Sequence, residues 1–129
     1  MRNEELEIRN GNPVVDKSKA FAIRIVKMYK YLTEKRSEYV MSKQVLRCGT
    51  SIGANVREAI YAQTRADFLS KMYIAFKEVG ETAYWLEILE DTEYLTPAQA
   101  KSIRADCAEL TRILSSITKT TRKKLRKHS

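Results

Sequence analysis

This chain of 129 residues is poor in the residue types on which most catalytic and metal-binding chemistry relies. It has one histidine, His128, next to the last residue, so no imidazole stands near a serine or cysteine to act as a general base. It also lacks a phosphate-cradling glycine loop and a nucleophile elbow. The expectation is therefore a protein with no catalytic residues and no cofactor. Glu78-x-x-Glu81 and Glu87-x-x-Glu90 could meet a hard cation, but such pairs are ordinary on solvated helices. A bundle di-iron centre would need Glu-x-x-His motifs, which are absent. No metal site is expected.

Two cysteines, Cys48 and Cys107, stand singly, without CxxC spacing, and read as reduced core thiols. No apolar run approaches the roughly 20 residues of a membrane span. The opening MRNEELEIRN carries three acids and no apolar block, unlike a signal or transit peptide, so the chain is expected in the cytoplasm with no membrane partner. Only four glycines and two prolines interrupt it, while 43% of its residues are hydrophobic. That composition predicts a single helix-rich domain.

Its charge is +8 overall but unevenly spread. Lys119, Arg122, Lys123, Lys124, Arg126 and Lys127 lie in the last eleven residues without an acid among them, and elsewhere 18 basic residues face 16 acidic ones. Such a block repels itself, resists packing, and serves either as a polyanion-binding arm or as a solubilising end. Lys27, Lys30, Lys35 and Arg36, around the end of the first helix, are further candidate phosphate contacts.

Hydrophobic periodicity predicts four helices. The first starts near Asp16 or Ser18, after an irregular lead (1–15) closed by Pro13, and aligns Phe21, Ile25, Met28, Tyr29 and Leu32. The second runs from about Glu38 to Thr64 on Val45, Cys48, Ile52, Val56 and Ala59, and the third from about Arg65 to Asp91. Thr96-Pro97-Ala98-Gln99 is a capping box that opens a fourth, to about Lys123, with Ala100, Ile103, Cys107, Leu110, Leu114, Ile117 and Thr121 in its seam. Short connections make an all-α, antiparallel up-down-up-down four-helix bundle (16–123) the simplest fold, followed by a basic tail (124–129).

Gly49-x-x-x-Gly53 presents a flat groove, suited to close packing inside the protomer or between subunits. The third helix is apolar nearly all round. Phe68, Met72, Ala75, Val79, Leu86 and Leu89 form one stripe, Tyr73, Phe76, Gly80 and Tyr84 a second, and Ile74, Trp85 and Ile88 a third. A helix with several apolar faces buries one against another copy, so a homo-oligomer is expected. On the second helix Arg47, Ser51, Asn55 and Glu58 recur at four, four and three. With Glu78, Glu81 and Trp85 they are candidates for a polar network at a helix or subunit interface.

Several segments carry a family likeness. They are Ser42-Lys43-Gln44, Arg47, Thr50-Ser51-Ile52-Gly53-Ala54-Asn55, Glu58-Ala59, Lys77-Glu78, Glu81-Thr82, Tyr84-Trp85-Leu86 and Glu93-Tyr94-Leu95. Over about residues 16–118 the chain resembles the four-helix-bundle proteins named after intervening sequences of 23S ribosomal RNA genes, relatives of the Avd accessory proteins of diversity-generating retroelements. Cys48, where the family commonly has serine, and Gly80, where it has better helix formers, depart from the pattern. The resemblance implies a closed homopentamer and a role as accessory to a reverse transcriptase. Together with the charge, it points to a non-enzymatic assembly that binds RNA or DNA without sequence preference. A scaffold that docks a protein partner on its ring surface is the alternative.

Overall fold

A computed structural model of the protein describes residues 13–127. It is all-α, with four helices and no strand among those residues: α1 (Pro13–Glu34), α2 (Met41–Ile60), α3 (Arg65–Asp91) and α4 (Pro97–Lys127). The expected lead over 1–12 and the tail's last two residues, His128 among them, lie outside the described residues.

Each helix starts or stops for a local reason that shifts some expected boundaries. Pro13 opens α1 instead of closing a lead, because proline suits the first helical position, where an amide has no partner to lose. Glu38 is not the first residue of α2 but its buried anionic cap. Its carboxylate accepts from the amides of Val40 (3.2 Å), Met41 (3.1 Å) and Ser42 (2.7 Å), placing negative charge at the helix's positive end. Thr64 is extended rather than helical and caps α3, its hydroxyl accepting from the Asp67 amide at 3.0 Å. The capping box of α4 forms reciprocally, Gln99 N–H to Thr96 Oγ1 at 3.1 Å and Thr96 N–H to Gln99 Oε1 at 2.9 Å.

One stripe from each helix forms the core. Phe21, Ile25 and Leu32 of α1 meet Val45, Ile52 and Val56 of α2, Met72, Val79 and Leu86 of α3, and Leu110 and Leu114 of α4. α1 packs on α2, α2 on α3 and α3 on α4, and α4 returns more lightly to α1. In α4 the buried positions run Ala100, Ile103, Cys107, Leu110, Leu114, Thr118, Thr121. Thr118 replaces the expected Ile117, which is half-buried: a straight helix turns every 3.6 residues, so a strict 3.5 rhythm drifts off the core and a four-residue step restores it. The Thr118 and Thr121 hydroxyls donate to the carbonyls of Leu114 (3.0 Å) and Ile117 (2.8 Å), so their burial leaves no polar atom unmet.

The glycines of α2 answer the close approach of α1. A Cβ at Gly49 would lie 2.8 Å from Ile25 Cγ1 and 2.9 Å from Cγ2, and one at Gly53 would lie 3.3 Å from the Ser18 carbonyl oxygen. The groove is thus filled within the protomer. Overpacking costs about 1–3 kcal/mol, against a helix-propensity gain of up to about 1 kcal/mol, so Gly49→Ala is expected to lose about 1–2 kcal/mol in denaturant melts. A melt equal to the parent's would mean that Ile25 gives way freely.

Candidate nucleic-acid interface

The cationic block of the C-terminal end is helical. α4 continues through Lys127, with Thr121 buried and Leu125 half-buried in an apolar groove beside Ala66, Leu69 and Tyr73 of α3. Like charges do not prevent this because the block has an apolar side: Thr118, Thr121 and Leu125 follow at three and four while the cations turn outward.

α4 carries only two carboxylates, and both are turned to α1: Asp106 pairs with Arg24 at 2.7 Å and Glu109 with Lys17 at 2.6 Å. Its outer side is left to cations. Lys101, Arg112, Lys119 and Lys123 follow at intervals of eleven, seven and four, which at 100° per residue keeps them within a sector of about 40°. At 1.5 Å per residue this line is about 33 Å long. All four are exposed, and none of them is in an ion pair among the described residues. Arg122, Arg126 and Lys127 widen the line at its end, with Lys124 half-buried beside them. Lys101 and Arg112 were not singled out from sequence, although their spacing carries the signal. Isolated cations eleven residues apart do not register as a cluster until the helix aligns them.

The second expected group lies elsewhere. Tyr31 and Gln99 line one groove, and Arg36 first and then Gln99 hold the Tyr31 hydroxyl below the ordinary phenol value. This sets the end of α1 beside the start of α4, about 30 Å along α4 from Lys119. Arg36 is a strap between turns: its guanidinium donates to the carbonyls of Glu93 (3.1 Å) and Tyr94 (3.0 Å) and lies 5.2 Å from the Tyr94 ring centre. Lys27 borders a groove of about 620 Å³ between α1 and α4, floored by Met28, Leu95 and Ile103, while Lys30 and Lys35 are exposed.

The polar residues of α2 and α3 divide. Arg47 bridges Glu81 and Glu78, the latter at 3.5 Å, and the Trp85 indole N–H donates to Glu81 at 3.3 Å. Glu58 pairs separately with Lys71 at 3.6 Å. Ser51 and Asn55 bond back along their own helix, to the carbonyls of Arg47 (2.6 Å) and Ser51 (2.9 Å), and link no helices.

Both cysteines are free and buried, Cys48 close to the Val45 carbonyl and Cys107 to that of Val79, each at 3.7 Å. Burial raises both thiols, Cys107 to about 11. No three His, Cys, Asp or Glu side chains gather as metal ligands would, and no helix is long and apolar enough to cross a membrane, among the described residues.

A family model described as 23S rRNA-intervening sequence protein matches residues 11–116. The chain belongs to that family. It is also similar, at 57% identity and a TM-score of 0.81, to a crystal structure of a protein of unknown function from the S23 ribosomal protein family of Bacteroides thetaiotaomicron. The match covers 82% of this chain and 98% of that one. No curated protein matches. Family membership brings the shared helical fold, and the relative's function is itself unknown.

Three measurements check this geometry. Because Arg47 is half exposed, Arg47→Ala should lower protomer stability by less than about 1 kcal/mol; a loss of several would mean that the pair is shielded from water. Neither thiol should react with a disulfide reagent at pH 8 until denaturant is added. A raised thiol pKa favours the folded state fully below the unfolded value of about 9, and that contribution fades as pH rises through about 11. A melt that does not weaken between pH 9 and 11 would contradict the burial.

Proposed function

We propose that the protein is a non-enzymatic homo-oligomer that binds RNA or DNA through the phosphate backbone. The cationic face of α4 carries this reading: Lys101, Arg112, Lys119 and Lys123, exposed and in no ion pair among the described residues, lie along one helix, with both of its carboxylates turned to α1. Lysine and arginine at such spacing neutralise phosphates and do not reach base edges, so binding is sequence-tolerant and falls steeply with salt.

The protomer reads as an antiparallel up-down-up-down bundle. Paired positions run in opposite directions on each packed helix pair: Gly49 with Ile25 and Gly53 with Ser18, Arg47 with Glu81 and Glu58 with Lys71, Glu90 with Arg104 and Val79 with Cys107, Lys17 with Glu109 and Arg24 with Ser102. Apolar side chains exposed on α1 and α3 support assembly, and the resemblance to closed pentamers supports five copies working in the cytoplasm. The likeness to Avd proteins extends the proposal to a reverse transcriptase as protein partner. One observation favours a second reading, a scaffold that docks a protein: Tyr39, Val40 and Tyr61 at the turns are 56%, 73% and 79% exposed.

The test is a salt titration of labelled structured RNA and of duplex DNA. Substitution suits it better than truncation at 118, which would also strip Thr121 and Leu125 from their packing against the rest of the protein. Lys101→Ala, Arg112→Ala, Lys119→Ala and Lys123→Ala should each weaken binding alike across sequences and lower the log–log salt slope by about 1. An intact assembly that binds neither polymer would end the nucleic-acid reading and leave the scaffold.

A further inference from the structure

The groove between α1 and α4 exists because these two helices pack lightly and the residues of α4 that border it are small. Ala98 and Ser102, one turn apart near the start of α4, leave a space of about 620 Å³ against Met28 and Tyr31 of α1. That volume lies within the roughly 300–1,000 Å³ of small-ligand sites, which combine an apolar lining with a few placed polar groups. Met28, Leu95 and Ile103 form the apolar floor here, and Tyr31, Gln99 and Ser102 bring a phenol, an amide and a hydroxyl to its edges.

Its charge is of one sign. No carboxylate is among the residues that line the groove, whereas two cations are. Arg24 is already engaged, donating to Asp106 at 2.7 Å and to the Ser102 hydroxyl at 3.0 Å, which holds one lip in place. Lys27 is exposed and in no ion pair among the described residues. An occupant complementary to these walls has a flat, weakly polar body with hydrogen-bonding edges and a negative charge beside it. A nucleotide has that composition.

The neighbouring surface favours a nucleotide that belongs to a strand. Lys101, which heads the outer line of cations on α4, directly precedes Ser102 and stands about 60° around the helix from Ala98. A backbone held on that line runs along the α4 lip of the groove, so a base can turn in from it. Paired bases have their edges occupied and stay stacked, whereas the bases of loops and single strands splay out.

We infer that the α1–α4 groove receives one unpaired nucleotide of a bound RNA or DNA strand, its base on Met28, Leu95 and Ile103 and its phosphate on Lys27. This rests on the backbone-binding reading above and names the form of nucleic acid preferred, looped or single-stranded over duplex. Every base has an apolar face to lay on such a floor, so the preference is for the unpaired state more than for one base.

The test compares a labelled hairpin RNA that carries an unpaired loop with a blunt RNA duplex of equal phosphate number, titrated against the full chain at one salt concentration. The hairpin should bind at least tenfold more tightly. Ala98→Trp, at an exposed position in the first turn of α4, puts a bulky ring into the groove. With helicity unchanged by circular dichroism, it should abolish that preference and leave duplex affinity as it was. Lys27→Ala should cut the preference at least threefold. Equal affinity of the parent for hairpin and duplex would overturn the inference while the phosphate-backbone reading stands. A preference that survives Ala98→Trp would overturn the groove as its seat, and one that survives Lys27→Ala would remove the phosphate from that lysine. Binding of neither RNA by the parent would defeat the backbone reading itself, and this inference with it.

Discussion

Each of the four helices has one side that water disfavours, and closing those four sides on one another sets the position of everything else. Ile25, Ile52, Met72 and Leu114 have no exposed surface at all, and burying such a side chain is worth about 1.5–3 kcal/mol. Where α1 and α2 come together the demand is tighter still. Ile25 occupies the space that a side chain at Gly49 would need, and the Ser18 carbonyl comes close to Gly53, so backbone meets backbone. That approach fixes the rotation of α1 and with it the outward aim of Lys19, Ile23, Val26 and Lys30.

The polar chemistry of the molecule is arranged around that closure. Carboxylates are placed where they satisfy a neighbour: Glu38 on the amides of α2, Glu81 and Glu78 on Arg47, Asp106 and Glu109 on the cations of α1. Of the charges on α4, what is left over is positive and faces outward along the helix. The excess charge is therefore not a property of a loose end. It is the outer side of a helix whose inner side is held by Leu114, Thr118 and Thr121, and a rigid array of cations holds phosphates with less ordering cost than a mobile one.

Much of the fold is legible residue by residue. The buried set of α2, Val45, Cys48, Ile52, Val56 and Ala59, and that of α3, Phe68, Met72, Ala75, Val79, Leu86 and Leu89, follow from three-and-four spacing because an isolated helix already places those residues on one side. The start of α4 at Thr96-Pro97 is equally local, as both capping hydrogen bonds lie within four residues. Glu38 misled because a buried glutamate just ahead of a helix looks like its first turn, whereas its carboxylate reaches forward to cap it. Ile117 misled because a heptad rhythm extrapolated over seven positions accumulates the difference between 3.5 and 3.6.

By itself, then, the sequence determined the four helices, their inward stripes and the family, since all of these are written in short-range spacing and in residue identity. Tertiary structure alone decided how charges and glycines are used. Arg36 became a strap through a contact fifty-seven residues away, and Asp106 and Glu109 were drawn off the cationic side of α4 by Arg24 and Lys17. Gly49 and Gly80 are the same residue in the same kind of helix, one pressed against Ile25 and the other facing open space. No local rule separates them, because what distinguishes them is the neighbour that packing brings, or does not bring, to each.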